Sequence, residues 1–378
     1  MIKQLWAKNY RSLADITVDF EPLTVLVGHN GSGKSNIVDA LWFVSDAVQI
    51  GLNNAILKRG GPYALYRWST EEQPYDIEIG LTIDTDEWHG RYSFTLGSDS
   101  KNEYGIKQEI CFIHDKVEKQ EYRFEAKEGT WLERPHDLIP AIQKHALVLP
   151  LIAEVKPYKK LHDFLTAISF YNIDPNVLVQ PQKPATPYPL ARTGKNITST
   201  LWEMEQAQSP RLKRLRHAIR SVIPDVVDFQ VHKTGGYRVL QLIHDMRQQG
   251  LATFDLIQES DGTLRLFGIL VTLYQDNLPV LSVLEEPELY IHPGTLGPLW
   301  DQIDIAAERG QFLITTHSPD LLDFCLADQI RVVEKVNGIT VVDHLETAQK
   351  KAIQARLFAP GELFRAQGLY RVEQLPLS

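Results

Sequence analysis

Apolar and polar side chains alternate strictly along residues 75–84, where Ile77, Ile79, Leu81 and Ile83 are interleaved with Asp76, Glu78, Gly80 and Thr82. A period of two is the signature of a strand with one buried face. Residues 91–96, 104–113 and 121–126 repeat it with turn residues between, which predicts an antiparallel meander of about four strands. The N-terminus gives two short strands, 2–7 and 16–20, around the polar turn 9–13. Another pattern follows. Residues 23–27 read LTVLV, uncharged, and stop at GHNGSGKS, after which Ile37, Ala40, Leu41, Val44 and Val48 recur at helical spacing. That is a buried strand, a glycine-rich turn and an amphipathic helix. A short helix over 53–61 is expected to end at Gly60-Gly61.

The middle of the chain is less regular. Residues 139–160 contain a helix, an apolar run over 146–155 and a basic cluster of Lys156, Lys159 and Lys160 around Tyr158. Residues 163–169 read as helix and 170–182 as a strand passing into a loop. Prolines at 175, 181, 184, 187 and 189 make 175–189 an extended connection or hinge. A helix over 196–208 precedes a better-marked one, with Ser209 as N-cap, Pro210 at the first helical position and Pro224 past the end. Leu212, Leu215, Ile219 and Val222 form its apolar stripe, and Arg211, Lys213, Arg214, Arg216 and Arg220 cover much of the rest. A hairpin is predicted around Lys233-Thr234-Gly235-Gly236. The motifs divide the chain into a nucleotide-binding core (1–55 and 250–345), an antiparallel β-subdomain (56–135), an inserted helical and mixed lobe (136–249) and a C-terminal tail (346–378).

Composition narrows the class. A chain of 378 residues, 43% hydrophobic and 23% charged, is globular material. Its net charge of −9 excludes a uniformly basic nucleic-acid coat. The basic helix leaves two readings open, contact with DNA through Lys213, Arg216 and Arg220, or a solvated face balanced by acids of the fold. Cys111 and Cys325 sit among apolar neighbours and read as buried thiols rather than a disulfide or metal pair, in keeping with a reducing cytoplasm. The first residues lack the apolar core of a signal peptide, and runs such as 266–274 are far short of a membrane span. No membrane association and a cytoplasmic location are expected.

The chemistry is concentrated in four places. In GHNGSGKSN the residues Gly28, Asn30, Gly31, Ser32, Gly33, Lys34, Ser35 and Asn36 form a phosphate loop. Its glycines turn backbone N–H groups toward an oligophosphate, Lys34 reaches the β and γ phosphates, and the Ser35 hydroxyl can ligate Mg²⁺. The helix N-terminus behind it favours the anion. Arg11, in the preceding turn with Lys8, could meet phosphates or base, or belong to a solvated turn. Ser260 and Gly262 start a helix over 264–274 and offer a second anion site. The run 279–286 ends in Glu285 and Glu286, whose side chains alternate, so that one faces a metal shell and the other a water. Finally, His317 leaves the strand 311–316, from which a histidine can bond a γ-phosphate.

Taken in this order, the motifs resemble the ABC-type ATPase heads of the SMC and RecF-like proteins and, within them, OLD-like stand-alone ATPases of the AAA family. The matching stretches are KNYRSL, GHNGSGKSN, ESDGTLRL as the signature motif, VLSVLEEPELYIHP as the Walker B strand and FLITTHSPDLL as the switch histidine. They cover about residues 1–50 and 250–325, while FYNIDPNVL and ARTGKNITSTL look like the lobe such ATPases carry. The sequence departs at Glu285, where many relatives have Asp, and at Asp261, where transporter heads have Gly. The resemblance implies an α/β head with a mixed central sheet, an antiparallel β-subdomain and an inserted α+β lobe, binding ATP and Mg²⁺. It assigns Mg²⁺ to Ser35 and Glu285, charge stabilisation to Lys34, the attacking water to Glu286 and γ-phosphate sensing to His317. It also implies a head-to-tail homodimer, or a higher oligomer, in which Ser260 and Gly262 reach the partner's nucleotide. About sixty residues follow His317, too few for the Toprim nuclease that OLD relatives carry, so a separate effector such as a nuclease is expected. Anti-phage defence or genome maintenance is the setting this implies. Two alternatives stand beside it: an ATP-dependent scaffold or sensor with little hydrolysis, and a small-molecule kinase, which the Ser260 and His317 motifs do not suit.

Overall fold

The computed structural model describes residues 1–67, 75–100, 103–135 and 141–372. Eight strands come first: β1 (Ile2–Tyr10), β2 (Leu13–Asp19), β3 (Leu23–Val27), β4 (Ile77–Asp84), β5 (Trp88–Ser100), β6 (Glu103–Asp115), β7 (Gln120–Lys127) and β8 (Thr130–Glu133). Six follow, β9 (Ile168–Tyr171), β10 (Val226–Thr234), β11 (Tyr237–Asp245), β12 (Leu251–Asp255), β13 (Leu281–Glu285) and β14 (Gln311–Thr316), and β15 (Ile330–Val336) and β16 (Ile339–His344) close the set. The chain packs as two units, Met1–Ile168 with Asp328–Lys350 and Leu369–Ser378, and Ser169–Ala327 with Lys351–Gly368.

In the first unit the strands lie in the order β8-β7-β6-β5-β4-β1-β2-β16-β15-β3. The sheet is mixed: β15 runs parallel to β3 and β16 to β2, while the meander from β4 to β8 is antiparallel. The alternating residues Ile77, Ile79, Leu81 and Ile83 are all buried, as a one-sided strand requires. Gly80 interrupts that strand because the Trp6 indole occupies its side-chain space; a Cβ there would lie 2.0 Å from the ring. The phosphate-loop helix, Lys34–Gln49, packs by Phe43, which stacks on Tyr10 at 5.7 Å and meets Phe94 edge-on at 6.0 Å.

Glu109, on β6, is fully buried. Tyr92 Oη and the backbone N–H of Leu149 donate to its Oε1 at 2.9 and 3.0 Å, and the Val148 N–H donates to its Oε2. The carboxyl thus fixes the start of a 3-10 turn, Leu149–Ile152, inside the apolar run at 146–155. The expected helix at 163–169 begins earlier, as Lys156–Thr166, with Pro157 in its first turn and Tyr158, Leu161 and Leu165 buried. The basic cluster therefore lies on a helix, where Lys156 pairs with Glu118 and Lys160 with Asp115. Residues 139 and 140, at the start of the helix expected there, lie outside the described residues.

In the second unit β13 and β14 are parallel, with Leu281 opposite Gln311 and Glu285 opposite Thr315. The helix Asp261–Tyr274 is buried at every position from Leu264 to Tyr274, an all-round apolar helix that belongs in an interior. The expected hairpin is β10–β11, and β12 extends it to a three-stranded antiparallel sheet, a strand its short pattern did not announce. Helix Pro210–Val222 begins as expected, with the Arg211 N–H donating to Ser209 Oγ. The proline segment departs from expectation: Pro175–Leu178 is a helical turn, with Asp174 as N-cap and Pro175 at its first position, where the missing N–H costs nothing. Residues 346–372 are also structured, with helices Thr347–Gln354 and Pro360–Ala366. Cys111 and Cys325 are free and buried, as expected, and no described helix is long and apolar enough to cross a membrane.

Candidate functional site

The phosphate loop, in the first unit, is held open by its own backbone. Gly31 and Gly33 take φ of +78° and +111°, in the left-handed region that residues with a Cβ avoid. Gly33 is the N-cap of Lys34–Gln49 with no side-chain cap, so no cap side chain takes up the first N–H groups of that helix. Lys34 Nζ folds back to donate to the carbonyls of Gly28 (2.6 Å) and His29 (3.2 Å). Ser32 Oγ is buried without a hydrogen-bond partner. Uncapped N–H groups, an orphaned hydroxyl and a lysine folded over the loop are the inventory an oligophosphate would satisfy. Ser35 is exposed at the helix start, where its hydroxyl is free to reach a metal bound to that phosphate.

Sequence patterns missed what braces this loop. Thr340 of β16, fully buried, donates from Oγ1 to Ser32 O at 3.0 Å and shares a 2.6 Å hydrogen bond with Ser12 Oγ. Asn36 Nδ2 donates to the same Ser12 hydroxyl at 2.6 Å. Asn36 is therefore engaged in bracing, a role its position in the motif did not specify. Gly28 cannot carry a side chain, since a Cβ would sit 2.1 Å from Val333 O. Arg11 takes a left-handed φ of +52° and pairs with Asp39 of the phosphate-loop helix at 3.1 Å, its Nε donating to Ala64 O. Arg11 thereby ties its turn to the phosphate-loop helix.

The second unit gathers the remaining motif residues. Ser260, exposed, caps the helix Asp261–Tyr274 by accepting from the Thr263 N–H at 3.1 Å. Gly262 lies under Tyr290, whose carbonyl oxygen would be 2.5 Å from any Cβ at 262, so that the signature motif and the loop after β13 meet. Glu285 ends β13, and Arg192 Nη2 donates to its Oε1 at 2.6 Å. Glu286 is not the next residue of a regular strand: its φ is +44°, held by its N–H donating to Thr315 O at 3.0 Å. The divergence of the two carboxylates thus comes from a break in the backbone as well as from strand alternation. The Glu286 carboxylate lies 3.2 Å from His317 Nδ1.

A third carboxylate sits beneath them. Glu288, 8% exposed, accepts from Thr316 Oγ1 at 2.6 Å and from the His317 N–H at 3.4 Å. Burial pushes its pKa up, against the lowering effect of those hydrogen bonds. It fixes the backbone from which His317 projects, and its place in EEPE was the available signal. Arg265, also buried, donates to the carbonyls of Ile173, Glu285 and Glu286 at 2.8, 3.1 and 3.0 Å, locking the end of β13. The basic helix turns several of its arginines to acceptors of this unit. Arg211 donates to Gln275 O at 2.7 Å and to Asp276 O, Arg216 pairs with Asp228 (2.8 Å) and Glu205 (3.3 Å), and Arg220 donates to Val227 O. Of the three residues expected to meet DNA, Arg216 is half-buried and paired with this unit's own acids, whereas Lys213 and Arg220 are exposed.

Comparison with known proteins gives the family and the fold. A family model described as "AAA domain, putative AbiEii toxin, Type IV TA system" matches residues 23–323. The chain is 33% identical over 126 residues to the chromosome partition protein Smc of Mycolicibacterium paratuberculosis, a stretch covering 30% of this chain and 10% of Smc. It is 21% identical over 381 residues to the Old nuclease of Escherichia phage P2, covering 91% of this chain and 62% of the nuclease. It therefore spans about a tenth of the one relative and less than two thirds of the other. A crystal structure of an Smc head bound to the C-winged helix domain of ScpA superposes with a TM-score of 0.56 at 14% identity, covering 93% of this chain and 99% of that one. An Smc head bound to the C-terminal domain of ScpA derived from Pyrococcus furiosus gives 0.55 at 12% identity, over 94% and 99%. The fold is that of an SMC-type ABC ATPase head, and the chain belongs to the AAA-domain family whose model spans its phosphate loop, its paired carboxylates and His317.

Proposed function

We propose that this protein binds ATP with Mg²⁺ and hydrolyses it, closing head-to-tail on a second copy of itself and opening again as phosphate is released. The observation that carries the reading is the phosphate loop: left-handed glycines, an uncapped helix N-terminus, an unsatisfied Ser32 hydroxyl and Lys34 poised over the loop. In this reading Gly28 to Asn36 cradle the phosphates, with Lys34 and the loop amides stabilising charge on the transferring phosphoryl group. Ser35 and Glu285 are the metal's ligands, and bound Mg²⁺ supplies charge neutralisation on the phosphate oxygens. Glu286 orients and deprotonates water. His317, 3.2 Å from Glu286, senses the γ-phosphate and ties that sensing to the base.

The signature surface supports the dimer. Ser260 and Asp261 are exposed there, and so are two large apolar side chains of the same surface, Ile257 at 77% and Tyr290 at 71%. Exposed apolar groups beside a helix start suit a partner's surface bearing a nucleotide. Closure and opening would control a separate effector such as a nuclease, or engagement of DNA, in anti-phage defence or genome maintenance. Phosphate release by Glu286→Gln tests the catalytic step, with a loss of about 10²–10⁴-fold expected for a general base. Equal, slow release by wild type and mutant would leave an ATP-dependent scaffold or sensor instead.

A further inference from the structure

The stretch ARTGKN, which the phosphate chemistry leaves without a task, brings a cation to the end of β13. Its backbone is fixed on both sides of Arg192. Asn196, buried, accepts the Ala191 N–H at 2.7 Å on Oδ1 and donates from Nδ2 to the carbonyls of Thr186 (2.9 Å) and Pro189 (3.1 Å). Gly194 takes a φ of +84° and donates its N–H to Ala191 O at 2.8 Å, and a Cβ there would lie 2.5 Å from the Leu178 side chain. The Arg192 carbonyl accepts from the Asn172 N–H at 2.9 Å. From this loop Arg192 Nη2 donates to Glu285 Oε1 at 2.6 Å. The acceptor's backbone is fixed as well, by Arg265 donating to Glu285 O at 3.1 Å and by the pairing of Glu285 with Thr315. The other carboxylate oxygen of Glu285 has no hydrogen-bond partner among the described residues, and the side chain is 20% exposed. A carboxylate with one oxygen held and one offered is prepared as a metal ligand with an outer-shell partner.

We propose that Arg192 is a positioning residue for the metal site: it holds Glu285 Oε1 and so presents Oε2 to Mg²⁺. The inference rests on the proposed role of Glu285 as a metal ligand and adds the residue that orients it. It also gives a reason for the residue type. Glutamate has one more rotatable bond than aspartate, so its carboxylate sweeps a wider arc and fixing it costs more rotamer entropy. A guanidinium carried on a braced loop removes that freedom in advance. The longer acid and the arginine therefore work as a pair. Glu285→Asp shortens the side chain by one C–C bond, about 1.5 Å, which takes the carboxylate out of reach of Nη2.

The test is Mn²⁺ affinity, read by EPR on the full chain with a non-hydrolysable ATP analogue, which reports binding rather than turnover. Arg192→Gln should weaken Mn²⁺ binding about 10–100-fold, the usual cost of losing an outer-shell partner. Arg192→Lys, which keeps the charge and a donor, should recover part of that loss. In a Glu285→Asp background Arg192→Gln should change little, because the pair is already broken. Binding of the same analogue in EDTA should stay at the wild-type value in Arg192→Gln; a matching loss there would make the arginine's role one of folding and overturn the proposal. Unchanged Mn²⁺ affinity in Arg192→Gln overturns it too, and so does a tighter one, which would mark the arginine as a competitor of the metal. Glu285→Gln separates the two readings. If it leaves Mn²⁺ affinity at the wild-type value, Glu285 is no ligand and both readings fall. If it weakens Mn²⁺ binding while Arg192→Gln does not, the metal site stands and only the role of Arg192 fails.

Discussion

Glu109 makes the first unit pH-sensitive in a direction that can be worked out. Burial lifts its carboxyl from the ordinary value of 4.5 to about 7, even though two backbone N–H groups and the Tyr92 hydroxyl all favour the charged form. The folded state therefore holds this proton more tightly than the unfolded chain does. Its contribution is fully present below pH 4.5, declines as pH rises and is lost above about 7. At about 1.4 kcal/mol per pKa unit, the loss across that window is on the order of 3 kcal/mol. The consequence is local, because the 3-10 turn it anchors and the helix Lys156–Thr166 pack against the phosphate-loop helix. Glu109→Gln removes the titration. It also leaves the Val148 N–H facing an amide donor, a fixed cost of about 1–3 kcal/mol. Hydrogen exchange of peptides covering 146–152 between pH 5 and 8, corrected for intrinsic exchange, reads the opening free energy directly. The stability difference between wild type and Glu109→Gln should shrink as pH rises through this window. A difference independent of pH would show that the carboxyl does not hold a proton in the fold.

The other predictions concern the site and the basic helix. Gly33→Ala drives a Cβ to 2.0 Å from Thr340 Oγ1 at a left-handed φ; it should reduce ATP affinity at least tenfold, about 1.4 kcal/mol, measured by a fluorescent nucleotide, and unchanged affinity would deny the loop its role. Ser260→Arg should leave nucleotide binding intact and abolish ATP-dependent dimerisation in sedimentation velocity, so a mutant that still dimerises would remove the signature surface from the interface. Arg216→Glu sets a third carboxylate against Asp228 and Glu205 in a half-buried network. It should lower stability to urea by about 2 kcal/mol, whereas lost DNA binding at unchanged stability would return that helix to nucleic-acid contact.

The phosphate loop, the hairpin, the capped basic helix and the strands that end at Glu285 and His317 were legible in the sequence because each is decided over a few neighbouring residues. Side-chain period, glycine where φ must be positive, and serine or proline at a helix start act locally. The helix at 156–166 carries such a signal too, in the spacing of Tyr158, Leu161 and Leu165, but the basic cluster and Pro157 obscured it. Long-range contacts alone decided the rest. Thr340 braces Ser32 across 308 residues, and Arg192 reaches Glu285 across 93; no periodicity couples such positions. Burial likewise chose which charges became structural, because an arginine or glutamate withdrawn from water must find a partner wherever the fold supplies one. Hence Arg216, which as sequence looks like part of a surface for a polyanion, pairs inside the second unit, and Glu288, one carboxylate among three in EEPE, became the one buried beneath His317.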